Sequence, residues 1–420
     1  MRFAKQCLFA ISILCASAVV AQTSLTTLHD FSGGDGDGAH PLGDLSMDGH
    51  GVIYGTVGPG GRRAQIYSLT PPAFTNGSWT KSVLYIASFT APVQDDLSPV
   101  IVGPYGELYG TSDHCLGISF GCVFELAPTA SGGWAMLEIH GFEGAAQGDG
   151  KRVALGKLAM DAAGNLYGVT QSGGLGNDVH SGTIYELIRP ASPGGFWTEQ
   201  ILYEFQNVRG GFYYPQMNVA IDRHGALFGS TRFSRNQRGD RAAGVIYQLA
   251  PPAVPGNAWT ISVINRSIGG SSVTRPGASQ LTVGPGGTVF GVSRLAGGAF
   301  ALKPPSVAGR PWTLVHLPSS SGGGPGSELA RDSRGNLYGT DGQSVYKIAP
   351  PLARGGAWTY SVLHTFAGGS EGSVPSGRPL VDASGGCLGQ HREAVPAPAR
   401  ITVPEYPVAE RCSSCSKAGT

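Results

Sequence analysis

The sequence has 420 residues, of which 66 are glycine, and charged residues make up 14% with a formal net charge of +1. This balance excludes the broad basic surface of nucleic-acid-binding proteins and of proteins that attach to membranes electrostatically. The 29 prolines and 41% hydrophobic residues are typical of short strands joined by tight turns, because glycine supplies positive φ and proline is kept out of central strands.

The chain begins with the pattern of a secretory signal peptide. Arg2 and Lys5 precede an apolar run over residues 8–14, and the small residues Val19 and Ala21 lie where a signal peptidase would cut. We therefore expect residues 1–21 to be removed and the protein to be secreted, periplasmic or at the cell surface. No later segment reaches the roughly 18 apolar residues that predict a transmembrane helix.

A five-residue phrase, Gly-x-apolar-aromatic-Gly, recurs along the chain. Its copies begin at Gly51, Gly106, Gly164, Gly225, Gly287 and Gly335. An alternating apolar run and an Asp-x-x-Gly or Gly-Pro-x-Gly turn precede each copy, which predicts a hairpin. A second strand such as "IYEL" (184–187) follows, then proline, and then one of the six tryptophans. Each unit thus reads as four strands.

Four antiparallel strands per unit of about 50–60 residues predict the blades of a β-propeller. The N-terminal "TLHDFSGG" (27–34) matches "VLHTFAGG" (362–369), and the stretch from Gly377 supplies only the start of another unit. We therefore predict an all-β, seven-bladed propeller of four-stranded antiparallel blades over residues 22–406. Six repeats occupy about 35–376, and residues 25–34 and 377–406 share the seventh blade, with the N-terminal strand closing the ring.

The C-terminal end departs from the repeat. Asp382, Gly385 and Gly389 fall on repeat positions, but Pro404 interrupts the next expected strand, and only one glycine occurs in residues 391–420. This change of composition suggests a degenerate or frameshifted end. The hypothesis would be contradicted if no downstream reading frame of the gene encoded the expected repeat motifs. Residues 407–420 are expected to be a disordered tail.

The phrases "GNLYGT" (335–340), "GNLYGVT" (164–170) and "GTIYEL" (182–187), together with the tryptophan-led last strand, carry a family resemblance. The chain resembles the bacterial GloVer-type tandem-repeat family of exported "choice-of-anchor" proteins over about residues 25–390. The resemblance implies an exported repeat protein without assigned catalytic residues. A C-terminal anchor domain, which such proteins often carry, is not recognisable here.

Residues that recur in every unit are predicted to be structural. The repeated aromatics, Tyr54, Tyr109, Tyr167, Phe228, Phe290 and Tyr338, and the six tryptophans would pack between neighbouring blades. The repeated Asp48, Asp161, Asp222, Asp332 and Asp382 would cap hairpin turns. Asp35 and Asp37 lack the further acidic ligands of a calcium loop, so no metal or cofactor is expected.

Irregular features are better candidates for a binding site. The longest predicted loop, residues 231–244, carries four arginines, and the preceding link carries three aromatic residues: Arg232, Arg235, Arg238, Arg241, Phe212, Tyr213 and Tyr214. Guanidinium groups beside flat rings suit an acidic polysaccharide or a carboxylate-bearing peptide. A simple solvated loop remains the alternative interpretation.

Two histidines occupy equivalent loops of the second and third units. His114 follows Asp113, and His180 follows Asp178 by two residues, so either pair could do general-base work or could be an ordinary surface pair. Cys115 and Cys122 flank one short loop of an exported chain, which predicts a disulfide. The remaining mature cysteines, Cys387, Cys412 and Cys415, all lie near the C-terminus.

Taken together, these patterns favour a monomeric exported module that binds an extracellular carbohydrate or peptide or has a structural role. The alternative is a propeller enzyme, a lyase or hydrolase with histidine and arginine at the mouth of the central channel. Inner strands such as "LTVG" (281–284) and "ELARD" (328–332) are expected to carry few titratable groups, which favours the binding module.

Overall fold

The structure is a computed structural model. It describes residues 24–32, 36–38, 41–58, 63–74, 77–88, 90–115, 117, 120–174, 181–192, 194–266, 281–293, 298–307, 309–319, 328–353, 355–367, 374–382, 386–392 and 399–405. The predicted signal peptide (1–21) and C-terminal tail (407–420) lie outside the described residues. Within the described part, no helix is long and apolar enough to cross a membrane.

The protein is an all-β propeller whose strands pair antiparallel within each sheet. Strand β1 (Ser24–Phe31) comes first and belongs to a sheet that the end of the chain completes. Blade one contains β2 (Pro41–Met47), β3 (Ile53–Val57), β4 (Gln65–Thr70) and β5 (Thr80–Ile86). Blade two contains β6 (Val93–Leu97), β7 (Ile101–Val102), β8 (Leu108–Cys115), β9 (Cys122–Pro128) and β10 (Trp134–Gly141).

Blades three and four have the same strand order. Blade three contains β11 (Gly150–Val153), β12 (Ala159–Met160), β13 (Leu166–Gly173), β14 (Thr183–Ile188) and β15 (Thr198–Glu204). Blade four contains β16 (Phe212–Ile221), β17 (Leu227–Arg235), β18 (Arg241–Ala243), β19 (Ile246–Ala250) and β20 (Thr260–Asn265). Short 3₁₀ turns occur at Ala145–Gln147 and Pro285–Gly287.

Blades five and six are four-stranded. Blade five contains β21 (Thr282–Val283), β22 (Val289–Ser293), β23 (Gly298–Lys303) and β24 (Thr313–His316). Blade six contains β25 (Ala330–Arg331), β26 (Leu337–Thr340), β27 (Ser344–Ala349) and β28 (Thr359–Thr365).

A further sheet combines both ends of the described chain. It contains β29 (Val374–Val381), β30 (Cys387–Arg392) and β31 (Ala399–Glu405), and β1 pairs antiparallel with β31 at its edge. Six blades are thus each complete within one continuous segment, where the sequence led us to expect seven. A count of seven requires that this two-ended sheet be counted as a blade.

The recurring glycine that ends each five-residue phrase lies beneath an aromatic ring. In the second strand of each of the six blades this glycine pairs with an aromatic residue of the third strand: Gly55–Tyr67, Gly110–Phe124, Gly168–Tyr185, Gly229–Tyr247, Gly291–Phe300 and Gly339–Tyr346. The rings lie so close that a Cβ on the glycine would collide with them. The motif therefore reflects a cross-strand contact that only glycine permits.

The repeated aspartates cap the hairpin turns, as the sequence predicts. The Asp161 carboxylate accepts hydrogen bonds from the backbone N–H groups of Ala163 and Asn165 at 2.9 Å each. The hydroxyl of Tyr167, the aromatic residue of the same repeat, donates to Asp161 at 3.1 Å. Equivalent Asp-to-backbone bonds occur at Asp48, Asp222, Asp332 and Asp382.

The tryptophans join neighbouring blades. The repeated aromatic residue of one blade meets the tryptophan of the next edge-on, as in Tyr109 and Trp197, whose ring centroids are 5.5 Å apart. The same contact recurs at Tyr54–Trp134, Phe228–Trp312 and Phe290–Trp358. The structural role predicted for both sets of residues is confirmed at these seams.

Candidate functional site

The strand order separates the loops into two sets. Links between blades, and loops between the second and third strands of a blade, open on one side, which we call the upper face. The turns between first and second strands, and the links between third and fourth strands, open on the opposite, lower face. The segments that carry the arginines and aromatics singled out in the sequence, residues 212–214 and 231–244, lie at the upper-face ends of their strands.

The segment 231–244 is not the long loop that the sequence suggested. It forms a hairpin in which β17 continues to Arg235 and pairs with β18, with Arg235 opposite Arg241. The turn is closed by the Asn236 side chain, which accepts hydrogen bonds from the N–H groups of Arg238 and Asp240 at 2.9 Å each. The sequence interpretation missed this cap, and the ordered hairpin holds the arginines in fixed positions.

Three of the four arginines lie over aromatic rings. The guanidinium carbon of Arg241 is 4.8 Å from the centroid of Phe233, and that of Arg232 is 5.1 Å from the same ring. Arg232 also lies 5.6 Å from Tyr214, and Arg235 lies 5.7 Å from Tyr213. These distances fall within the range of cation–π contacts. We call Tyr214, Arg232, Phe233, Arg235 and Arg241 the arginine–aromatic cluster.

Two of the predicted aromatic contacts are buried. Phe212 packs in the core between blades three and four, with its ring stacked against Tyr203 and Tyr247 at 6.3 and 6.4 Å. Tyr213 is 4% exposed. Both residues lie in β16. Side chains alternate between the two faces of a strand only where the strand is regular, so two consecutive residues can both be buried here. We therefore leave both residues out of the contact surface.

Tyr214 is partly exposed and holds an unusual backbone conformation. Its φ is 60°, a left-handed value that non-glycine residues adopt rarely and at a cost. Its N–H donates to the carbonyl of Ser181, and its hydroxyl donates to Oε1 of Gln171 at 3.3 Å, so blade three holds it in place. The cluster therefore lies at the junction of blades three and four.

Phe233 and the relation of the arginines to it were missed from the sequence. Two guanidinium groups contact the ring, and Arg238 stands at the exposed tip of the hairpin. Among the described residues, Arg232, Arg238 and Arg241 make no ion pair with a carboxylate. The four arginines recur every three residues, a spacing that predicts no common face of a strand, so their grouping could not be found before the hairpin was recognised.

The two candidate histidines do not join this cluster. His114 lies in blade two, and its Nδ1 is 2.7 Å from the carboxylate of Asp113 at the surface. Asp96 is the third member of this group, and the ligand atoms of all three residues lie within 4.8 Å of one another. His180 and Asp178 lie outside the described residues. The hairpin of blade four therefore gains no general base from His114.

Cys115 and Cys122 form a disulfide that links the end of β8 to the start of β9. Cys387 is a free, buried thiol in β30, and burial raises its pKa to about 12. Its position suits a small apolar core residue. Cys412 and Cys415 lie outside the described residues.

Charged side chains in or just before the first strands of four sheets converge on the central channel, which the sequence interpretation missed. One repeat position, four residues before the turn aspartate, is charged in blades one, three and six and in the two-ended sheet. Its residues are Asp44, Lys157, Glu328 and Arg378. Nε of Arg378 is 3.2 Å from Asp44. Nζ of Lys157 donates to the carbonyl of Leu45 at 2.9 Å. This hydrogen bond joins blade three directly to blade one, which are not neighbours in the ring.

Burial lowers the pKa of Lys157 to about 8. The charge of Arg378 adds to this effect, while the carboxylates of Asp44 and Glu328 oppose it. The inner strands therefore bring several titratable groups together, and the sequence argument against an enzyme, which assumed few such groups, is wrong. Spacing within one repeat could not show that positions 44, 157, 328 and 378 meet.

The lowered pKa of Lys157 predicts a pH dependence of stability. Between about pH 8 and pH 10 the folded protein has lost the Lys157 proton while the unfolded chain still binds it, so the free energy of unfolding should rise with pH. Lys157→Met should remove this rise. Urea unfolding of both proteins across this interval measures the difference, and parallel pH profiles would contradict the assignment.

The lower face has a cleft between blades four and five. Its volume is about 870 Å³, and its lining includes Arg223, Phe228, Arg310 and Trp312. Prolines and glycines of the strand links form much of its remaining wall. This cleft is an alternative to the upper-face cluster as a ligand-binding site.

Comparisons with known proteins establish the fold and not the family. No protein family matches the sequence, and no curated protein matches it. The chain is similar in structure to virginiamycin B lyase from Staphylococcus aureus, with a TM-score of 0.54 and 11% identity over 91% of this chain and 99% of the lyase.

Two larger proteins from B. thetaiotaomicron are similar as well. The extracellular domains of two hybrid two-component systems match with TM-scores of 0.56 and 0.52, at 12% and 11% identity. The matches cover 90% and 95% of this chain but only 42% and 45% of those chains. At such low identity these likenesses show the propeller fold alone.

Proposed function

We propose that the protein is an exported binding module whose arginine–aromatic cluster recognises a carboxylate-bearing carbohydrate or peptide. One observation carries the proposal: the guanidinium carbons of Arg232 and Arg241 lie 5.1 and 4.8 Å from the Phe233 ring centroid, and among the described residues neither guanidinium is paired with a carboxylate. Stacking on the ring fixes a guanidinium while its N–H donors remain free for a planar anion.

The setting of the cluster supports the same proposal. The hairpin is ordered by pairing with β18 and by the Asn236 turn, so little conformational entropy is lost on binding. Tyr214 adds a flat ring next to Arg232, and its strained backbone is held by blade three. Uronic acid units of an acidic polysaccharide present both a carboxylate and an apolar ring face, which this arrangement suits.

We expect Arg232→Ala combined with Arg241→Ala to weaken binding to acidic glycans at least tenfold, because two charge-assisted contacts are lost. A glycan array that includes acidic polysaccharides, followed by calorimetry on the strongest ligand, measures this. Binding by the unchanged protein should also weaken as salt is raised, since the contacts are partly exposed.

The matched control removes the same charge from the other face. Arg310→Ala combined with Arg334→Ala deletes two arginines on the lower face, one of which lines the lower cleft. This variant should bind as the unchanged protein does. Loss of binding in the control with retention in the hairpin variant would place the ligand in the lower cleft and overturn the proposal.

We also propose the finer features expected from the sequence: a signal peptide cleaved near Ala21, a GloVer-type repeat protein, a monomer, and a ring of seven blades. The pairing of β1 with β31, and of β31 with β30, supports counting the two-ended sheet as the seventh blade. Mass spectrometry of the exported protein tests the cleavage, and light scattering tests the monomer.

The enzyme alternative has one observation in its favour. Lys157 faces two carboxylates across the channel, and its pKa, lowered to about 8, is suited to a general base. A lyase or hydrolase acting there would shorten the same acidic polysaccharides during prolonged incubation. Unchanged chain lengths, measured by size-exclusion chromatography, would exclude this activity for the glycans used.

A further inference from the structure

Two blade seams contain equivalent sets of polar residues. In each, the outer strand of one sheet ends in His-x-Phe, and a link follows that carries an Asp-Gly pair. The first copy has His29 and Asp37, and the second has His140 and Asp149. The neighbouring blade contributes the second residue of its outer strand, which is Lys81 in the first copy and Glu199 in the second.

The first copy is balanced by the lysine. Nζ of Lys81 lies 2.9 Å from the Asp37 carboxylate and donates to the Asp37 carbonyl at 2.6 Å. Nε2 of His29 is 2.6 Å from the same carboxylate. The side chain of Lys81 is only 7% exposed, so a buried cation stands against Asp37.

The second copy has the same histidine and aspartate but a glutamate instead of the cation. Nε2 of His140 lies 3.6 Å from Glu199 and 4.0 Å from Asp149, and the three ligand atoms are within 4.8 Å of one another. Asp149 is oriented by hydrogen bonds from the N–H groups of Glu143 and Gly150. Among the described residues, no lysine or arginine forms an ion pair with Asp149 or Glu199.

Several buried polar atoms at this seam have no hydrogen-bond partner. They are Nε2 of His140, Oε1 of Glu199 and the hydroxyl of Tyr185, a residue that is 0% exposed. Tyr185 belongs to the same seam: its ring centroid lies 5.0 Å from that of Phe142, which in turn lies 4.8 Å from that of His140. Unpartnered buried polar atoms are uncommon and indicate a missing water, ion or proton.

We propose that His140, Asp149 and Glu199 bind a divalent transition-metal cation of the zinc class. One imidazole nitrogen and two carboxylate oxygens are ligands that zinc accepts, with a water molecule as the fourth. Tetrahedral coordination with bonds of about 2.0–2.1 Å separates ligand atoms by about 3.3–3.4 Å. The observed separations from His140 are a few tenths of an ångström longer, so the side chains need only a small inward movement.

The first copy agrees with this assignment. There the buried cation of Lys81 lies against the Asp37 carboxylate. In the second copy a metal ion would balance Asp149 and Glu199 in the same way.

The test is zinc titration of the untagged, chelator-treated protein, in which Cys412 and Cys415 are changed to serine to remove competing thiols. Calorimetry should show one saturable site with a dissociation constant below 10 μM and a rise in melting temperature. His140→Ala should weaken binding at least 100-fold. His114→Ala, which alters the surface group with Asp96 and Asp113, is the matched control and should leave the affinity unchanged.

Exchanging the charged residues Lys81 and Glu199 between the two copies distinguishes loss of the metal site from misfolding, because one exchange should add a site. Glu199→Lys should restore the ion pair of the first copy, keep the melting temperature, and abolish zinc binding. Lys81→Glu should create a second site and raise the stoichiometry from one to two. The proposal is overturned if the starting protein binds no zinc at 100 μM, or if folded His140→Ala and Glu199→Lys variants bind it unchanged.

Discussion

Replacing Gly229 with alanine is expected to lower the free energy of unfolding by about 3 kcal/mol, because overpacking a closed core forces rings and backbone apart. The new Cβ would lie 2.5 Å from Cζ of Tyr247, and the hydroxyl of that ring would be nearer still. Tyr247 is 1% exposed and packs in the core between blades three and four, so the ring has no free space to enter. Urea unfolding followed by tryptophan fluorescence measures the loss.

The chain provides its own control for this substitution. Gly389 occupies the same repeat position in the two-ended sheet, but no heavy atom lies within 4 Å of a Cβ built there. Gly389→Ala should therefore change stability by no more than about 0.5 kcal/mol. An equal loss at both positions would show that glycine acts through backbone conformation and not through the ring.

A double variant separates the steric cause from other effects. Combining Gly229→Ala with Tyr247→Leu removes the ring that the new methyl group meets. The double variant should be more stable than the sum of the two single effects predicts, by at least 1 kcal/mol. Additive losses would contradict a direct clash.

The repeat could be recognised from the sequence because the contacts that define each copy join residues that are close together in the chain. Gly168 and Tyr185 face each other across adjacent strands, and Asp161 caps the turn that comes before them. Such contacts span fewer than thirty residues, so spacing alone reveals them. The same locality explains why the all-β propeller fold, the seam role of the tryptophans and the turn role of the aspartates were predicted correctly.

The site residues could not be predicted in the same way, because they meet through the ring and not along the chain. Lys157 reaches the carbonyl of Leu45 across 112 residues, and the backbone N–H of Arg378 donates to Asp44 across 334. Glu199 approaches His140 only because two blades adjoin. Local periodicity shows which face a residue occupies, but the angular position of its blade is needed to find its partners.

The hairpin at 231–244 illustrates a different failure. Its arginines and Asn236 are polar, so the segment lacks the apolar alternation by which strands are recognised. Pairing with β18 and the side-chain cap of the turn give it order although its buried residues, such as Thr231 and Ser234, are polar. A charged, irregular stretch therefore need not be a loop when its backbone donors find partners on an adjacent strand.

Phe31→Ala is expected to lower the free energy of unfolding by about 3–5 kcal/mol, as for other large buried aromatic side chains. Phe31 is 0% exposed and contacts Tyr67 of blade one edge-on at 5.2 Å. Its core cluster also includes Leu388 of β30, so one ring joins the first blade to the sheet formed by the two ends. Phe74→Ala, at a ring that is 77% exposed in the same blade, should cost less than about 0.5 kcal/mol.

A circular permutant then tests whether the two-ended sheet closes the ring as a seventh blade. Ser24 lies opposite Glu405 in the register of β1 and β31, so a short glycine-containing turn can join these residues, with the chain reopened in the exposed link at residues 254–257. The turn makes the sheet one continuous segment and reduces the entropy cost of bringing the ends together. The permutant should be at least as stable as the native order and should still lose 3–5 kcal/mol on Phe31→Ala. If the permutant unfolds more easily, or if Phe31→Ala costs it nothing, the two ends do not form a blade.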